Sequence, residues 1–224
     1  LMTKITGIER LDETTMRTGH GDNWHMTWAA DDKQYTALCD GEGFEVPGDP
    51  LQFNNSRIYA VTGHPPEHRF EYLPGYPQLG LRSGFYNFGI LELDGHIYSF
   101  LCHMPKTPDH EYERAFVGAI LIYSPDYGKA WKNHDSSICT WAQLKDFDPE
   151  RQLFFHESGD AFSLLTVLQM GCSYEHNTDG HVYIYAPNGN GLETMAQLVL
   201  CRVPNDRIRG RCTLPKRHID ACPP

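Results

Sequence analysis

Ser124-Pro-Asp126-Tyr-Gly128-Lys-Ala-Trp131 is the stretch whose spacing decides the fold. A Ser-x-Asp-x-Gly-x-x-Trp run describes a turn held by its own side chains. The short Ser and Asp side chains bond backbone groups of the turn, Gly takes a positive φ, and Trp packs underneath. The alternating apolar run from Val117 to Ser124 leads into it and reads as a strand. This is an Asp box, a structural hairpin motif that carries no catalytic group.

Outward from the box the same texture repeats. Short runs of period two lie at Trp24–Ala30, Gln34–Cys39, Arg57–Thr62, Gly89–Leu93, His96–Cys102, Val117–Ser124, His181–Ala186 and Gln197–Val203, bounded by Gly, Pro, Asn and Asp. Only Ile138–Lys145 and a few smaller pieces suit a helix, so the class is all-β. Three segments resemble one another: Asp32-Lys-Gln-Tyr35 to Asp40, Gly95-His-Ile-Tyr98 to His103, and Asp179-Gly-His-Val-Tyr183 to Asn188. Each is a tight Asp/Gly turn entering a Tyr-bearing strand. A recurring unit with variable insertions predicts a β-propeller of antiparallel four-stranded blades, about three of them in this chain.

Composition narrows the function. Charged residues make up 21% and aromatics 12% of 224 residues, a globular profile. A formal net charge of −10 argues against a nucleic-acid partner. No run approaches the ~20 apolar residues of a membrane-spanning helix. Leu1–Gly21 lacks the apolar core of a signal peptide, and the compartment stays open. The seven cysteines include no Cys-x-x-Cys pair and read as buried free thiols. No metal-ligand spacing emerges among the twelve histidines, and no cofactor is expected.

The densest chemistry lies in Gly19-His-Gly-Asp22-Asn-Trp24 and Leu38-Cys-Asp40-Gly-Glu42-Gly-Phe44. Pairing Trp24–Ala30 with Gln34–Cys39 around a turn at Ala30–Asp32 puts Asp22 opposite Asp40, or one residue off. Like charges so placed push one pKa up, giving a neutral acid beside an ionised carboxylate. Glycoside hydrolysis uses that split; carboxyls about 5–5.5 Å apart suit double displacement, and about 6.5–9.5 Å leaves room for an inverting water. Trp24 offers a sugar-stacking face, Asn23 a hydroxyl partner, and Glu42 a further carboxylate. Asp40 aligns with His103 and Asn188 in the other copies, a shared polar end that could line a substrate channel. The alternative for Asp22 and Asp40 is a turn role, since Asp40-Gly41 is an ordinary turn dipeptide.

These residues resemble a family of bacterial five-bladed β-propellers, long catalogued as a domain of unknown function, that includes endo-D-arabinanases. The resemblance runs from about Gly19 to Ile208. Its markers are Asp22-Asn-Trp24, Thr27-Trp-Ala, Tyr35 to Phe44, Gly89 to Tyr98, the Asp box, Val182-Tyr-Ile-Tyr-Ala-Pro and Leu200-Cys-Arg-Val-Pro-Asn-Asp-Arg-Ile208. It implies cleavage of a glycosidic bond in an arabinan-type polysaccharide, with Asp22 and Asp40 as the catalytic pair. It would also suit a secreted or cell-envelope protein. The chain divides into a partial propeller, 1–204, and a basic tail, 205–224, with five Lys/Arg against two Asp and no strand alternation. That tail reads as non-family sequence, disordered or frame-shifted, in a truncated chain; a genuine basic tail is the rival reading. A non-catalytic propeller that binds carbohydrate or protein is the second reading. A sialidase-like enzyme is the third, weakened because no arginine sits in a recognisable Arg-Ile-Pro setting.

Overall fold

The computed structural model describes residues 6–10, 12–15, 18–73, 75–76, 79–80, 83–105, 115–140, 147–191 and 197–210. They form three antiparallel sheets laid side by side. Sheet 1 runs β1 (His20–Trp28), β2 (Gln34–Gly43), β3 (Asn54–Thr62) and β4 (Arg69–Tyr72), with a short β5 (Leu79–Gly80) also pairing to β3. Sheet 2 runs β6 (Phe85–Leu93), β7 (His96–His103), β8 (Gly118–Ser124) and β9 (Lys132–Asn133). Sheet 3 runs β10 (Thr166–Val167), β11 (His181–Pro187) and β12 (Leu198–Pro204). The class is all-β, and each sheet follows chain order from its first strand outward.

Every strand expected from the alternation is present. The hairpins form for local reasons: between β6 and β7, Asp94 (φ 51°) and Gly95 (φ 76°) both turn left-handed, the requirement of a two-residue turn that matches strand twist. At Ser124–Trp131, Gly128 N donates to Ser124 Oγ (2.7 Å), and Lys129 N and Ala130 N donate to Asp126 Oδ1 (3.1 and 2.9 Å). Trp131 is buried beneath, its ring 5.3 Å from that of Tyr76. Ile138 makes a β-bridge to Lys132 instead of starting a helix, and 141–146 lie outside the described residues. The one α-helix among the described residues is α1 (Pro149–Gln152), started by Asp148, whose side chain accepts from Glu150 N.

Sheet 2 is covered on both faces. Ile90, Ile97, Leu101, Ile120 and Ile122 pack with Tyr35, Ala37, Ile58 and Ala60 of sheet 1. The alternate residues Leu91, Phe100, Leu121 and Tyr123 pack with Val182, Ile184, Val199 and Cys201 of sheet 3. Double coverage accounts for the unbroken buried run of β8. The first strands of the sheets adjoin: Glu92 N donates to Thr27 Oγ1 (2.8 Å), His25 Nδ1 meets Thr166 Oγ1 (3.0 Å), and Gln169 Nε2 donates to Ile90 O (2.8 Å).

Packing continues past Pro204, the boundary expected from composition. Asn205 N donates to Gly180 O (2.9 Å) and Ile208 is buried in the core between sheets 2 and 3. Arg209 Nη1 donates to Tyr123 Oη (2.8 Å) and Ser136 Oγ (2.9 Å). The rest of the expected tail, 211–224, lies outside the described residues. Cys39 and Cys102 are buried free thiols, Cys172 is a half-buried one, and Cys139 and Cys201 are buried; Cys212 and Cys222 lie outside the described residues. No helix among the described residues is long and apolar enough to cross a membrane.

Candidate functional site

The mouth of the β1–β2 hairpin breaks the regular ladder twice. From Trp28↔Gln34 to His25↔Ala37 the register is even; it then shifts so that Asp22 faces Cys39, and shifts again so that His20 faces Gly43. Two left-handed residues make these bulges, Asn23 and Asp40, each with φ 51°. Asn and Asp tolerate that region better than other side chains. Gly41 is required by close approach: a Cβ there would run into the His20 carbonyl and the Gly21 Cα. Bulges re-aim side chains, and here they leave both Asp22 and Asp40 exposed at the rim.

Asp22 is one residue off register from Asp40, within the range expected from the sequence. Its Oδ1 accepts from Asn23 Nδ2 (2.9 Å) and from the Cys39 thiol (3.2 Å). Asn23 Nδ2 also contacts Cys39 Sγ (3.1 Å). The Asp40 carboxyl is raised above its ordinary value, first by partial desolvation and second by the charge of Asp22. Burial, with Asp22 adding to it, pushes the Cys39 thiol up as well, so it stays protonated.

The remaining sequence candidates are distributed around this mouth. Trp24 is half-buried, donates through Nε1 to Gly21 O (3.2 Å) and lies 4.6 Å from the Phe44 ring, so much of it packs on its own sheet. Glu42 is exposed near the end of β2. His103 and Asn188 occupy the same ends of their sheets' second strands as Asp40 does. His103 is buried, its Nδ1 is 3.2 Å from Gly84 O, and its ring stacks on Phe85 at 4.6 Å. Desolvation lowers its pKa to about 4, keeping the imidazole neutral. Asn188 closes its own hairpin by bonding Gln197 through backbone (2.8 Å) and side chain (3.2 Å). Among the described residues no hydrogen bond or ring contact joins His103 or Asn188 to the Asp22–Asp40 pair.

Cys39 is the site residue that sequence reading treated only as a core thiol. Its signal lay in its position: it precedes Asp40 and falls opposite Asp22. Among the described residues no group of three or more His, Cys, Asp or Glu could hold a metal ion.

No protein-family profile and no curated protein matches the chain. Among solved structures it is similar to one described as "a putative hydrolase from Bacteroides ovatus", at 11% identity and a TM-score of 0.49. The match covers 88% of this chain and 52% of that one, so the chain spans about half the length of that protein.

Proposed function

We propose that the three sheets are consecutive blades of a β-propeller and that the Asp22–Asp40 mouth hydrolyses a glycosidic bond in an arabinan-type, furanose-containing polysaccharide. The observation that carries this reading is the pairing itself. Two exposed carboxylates sit one step apart on paired strands, and one of them is raised by burial and by its partner's charge. The side-by-side sheets, each in chain order from adjoining first strands, support the blade reading. The family resemblance read from the sequence supports the substrate class.

In this reading Asp40 holds its proton into the working range and is the general acid, protonating the leaving glycosidic oxygen. Asp22, held by two donors on Oδ1, is the nucleophile and forms a bond to the anomeric carbon as the glycosidic C–O bond breaks. Water then attacks that carbon, giving a proton to Asp40 and releasing Asp22. The test is release of reducing ends from arabinan and arabinogalactan. Asp22→Asn and Asp40→Asn should each lower cleavage by roughly 10²–10⁴-fold while both variants stay folded. Near-normal cleavage by either variant removes that residue from the mechanism.

A further inference from the structure

The arrangement beneath Asp22 goes further than the pair. Cys39 is only 1% exposed, so its sulfur is closed to substrate and to solvent reagents. Its thiol nevertheless reaches the rim from below, donating to Asp22 Oδ1 at 3.2 Å. The Asn23 amide closes a triangle, 2.9 Å from Asp22 Oδ1 and 3.1 Å from Cys39 Sγ. The backbone is shaped to allow it: Asn23 turns left-handed, and the Asp22↔Cys39 pairing exists because the ladder shifts on both sides of it. A carboxylate on an exposed rim would otherwise rotate freely about χ1 and χ2. Two donors on one oxygen, one of them anchored in the core, select a single rotamer.

We propose that Cys39 is a positioning residue, whose buried thiol proton bonded to Asp22 Oδ1 fixes the nucleophile's carboxylate toward the scissile bond; this rests on the glycosidase reading above. An alanine methyl would remove the donor together with the sulfur and leave Asp22 unanchored. A hydroxyl would keep the donor. The residue type therefore matters through its proton, and its volume is secondary.

Infrared spectroscopy of the S–H stretch tests the contact without any substrate. The Cys39 band is identified by its loss in Cys39→Ala. In Asp22→Asn, a change at an exposed side chain that leaves the core intact, the band should move to higher wavenumber as the charged acceptor is lost. Cleavage of arabinan gives the second readout: Cys39→Ala should lower kcat by roughly 10- to 100-fold with KM little changed, and Cys39→Ser should restore most of it. A band that stays put in Asp22→Asn overturns the proposal, as does a Cys39→Ala protein that cleaves like the parent. A band that moves while the parent protein cleaves nothing supports the contact and overturns the glycosidase reading instead.

Discussion

Sheets 1 and 3 flank the same middle sheet and follow the same strand order, but they treat their outer faces in opposite ways. After β2, the sheet 1 chain folds back over its own outer face. Phe44 stacks on Phe70 with ring centroids 3.6 Å apart and meets Tyr59 edge-on at 5.1 Å. Arg57, buried on that face, pairs with Asp49 of the returning loop at 2.7 Å and lies over the Tyr72 ring at 3.1 Å. Sheet 3 has no such return among its described residues. Leu198 and Leu200 stand 68% and 53% exposed on its outer face, while their neighbours Val199 and Cys201 are buried against sheet 2. The mouths differ in step with the faces. At Asp40 the ladder bulges and aims a carboxylate outward; at Asn188 the side chain simply closes a hairpin onto Gln197. Among the described residues, one kind of unit thus yields a self-covered sheet with two carboxylates at its rim and a plain sheet with exposed leucines on its outer face. In sheet 1 the cover comes from Phe44 to Asp49, just after the second strand.

The sharpest way to break this comparison is Phe44→Ala. Removing a ring stacked among Trp24, Tyr59 and Phe70 should cost about 3–4 kcal/mol, read as a drop in the urea midpoint. A loss no larger than a surface change would mean the returning loop does not cover the face. Next comes the pH dependence of the mouth. Asp40 has a raised carboxyl pKa, so the folded state holds that proton more readily than the unfolded chain does. Its contribution is fully present below the ordinary carboxylate range and is lost as pH rises through the raised value. Asp40→Asn should therefore flatten the fall in Tm with rising pH across that window. An unchanged pH profile would show that the Asp40 carboxyl is not raised by its burial and by the charge of Asp22. Asn188 carries no charge, and no such dependence is expected from the mouth of sheet 3. The smallest effect belongs to the open face: Leu200→Ser should change stability by no more than about 0.5 kcal/mol and raise solubility. A large destabilisation would show that this face is covered after all.

The parts legible in the sequence were those where alternation is unbroken. The β7 run from His96 and the β11 run from His181 begin where expected because an Asp-Gly turn marks the start and period two marks the length. The strands run longer than expected at the mouths, through His20–Asn23, Asp40–Gly43, Asn54–Ser56 and Phe85–Phe88. The first three stretches are glycine-rich or polar and the fourth is aromatic, and bulges near Asn23, near Asp40 and between Asn87 and Gly89 destroy the period on which the reading depends. Two-residue strands such as β9 and β10 are too short to have a period at all. At the site, the neighbourhood of Asp22 and Asp40 followed from hairpin register. The Cys39 anchor did not, because a one-residue shift turned a neighbour of Asp40 into the partner of Asp22. His103 looked like a channel residue by alignment, and only three-dimensional packing reveals its enclosure by Phe85 and Phe147.

The short segment after β12 has a mechanical consequence. Having left sheet 3, the chain crosses back to bury Ile208 and to bond Arg209 onto Tyr123 of sheet 2 and Ser136 of the turn that follows β9. β12 is therefore tethered at its far end to a different sheet. Fraying of β12, the edge of sheet 3 among the described residues, must first tear out Ile208 and the guanidinium, so the two sheets lose their structure together. Six residues that look like loose punctuation in the sequence act as a clasp, and they make the unit of cooperative unfolding larger than one sheet.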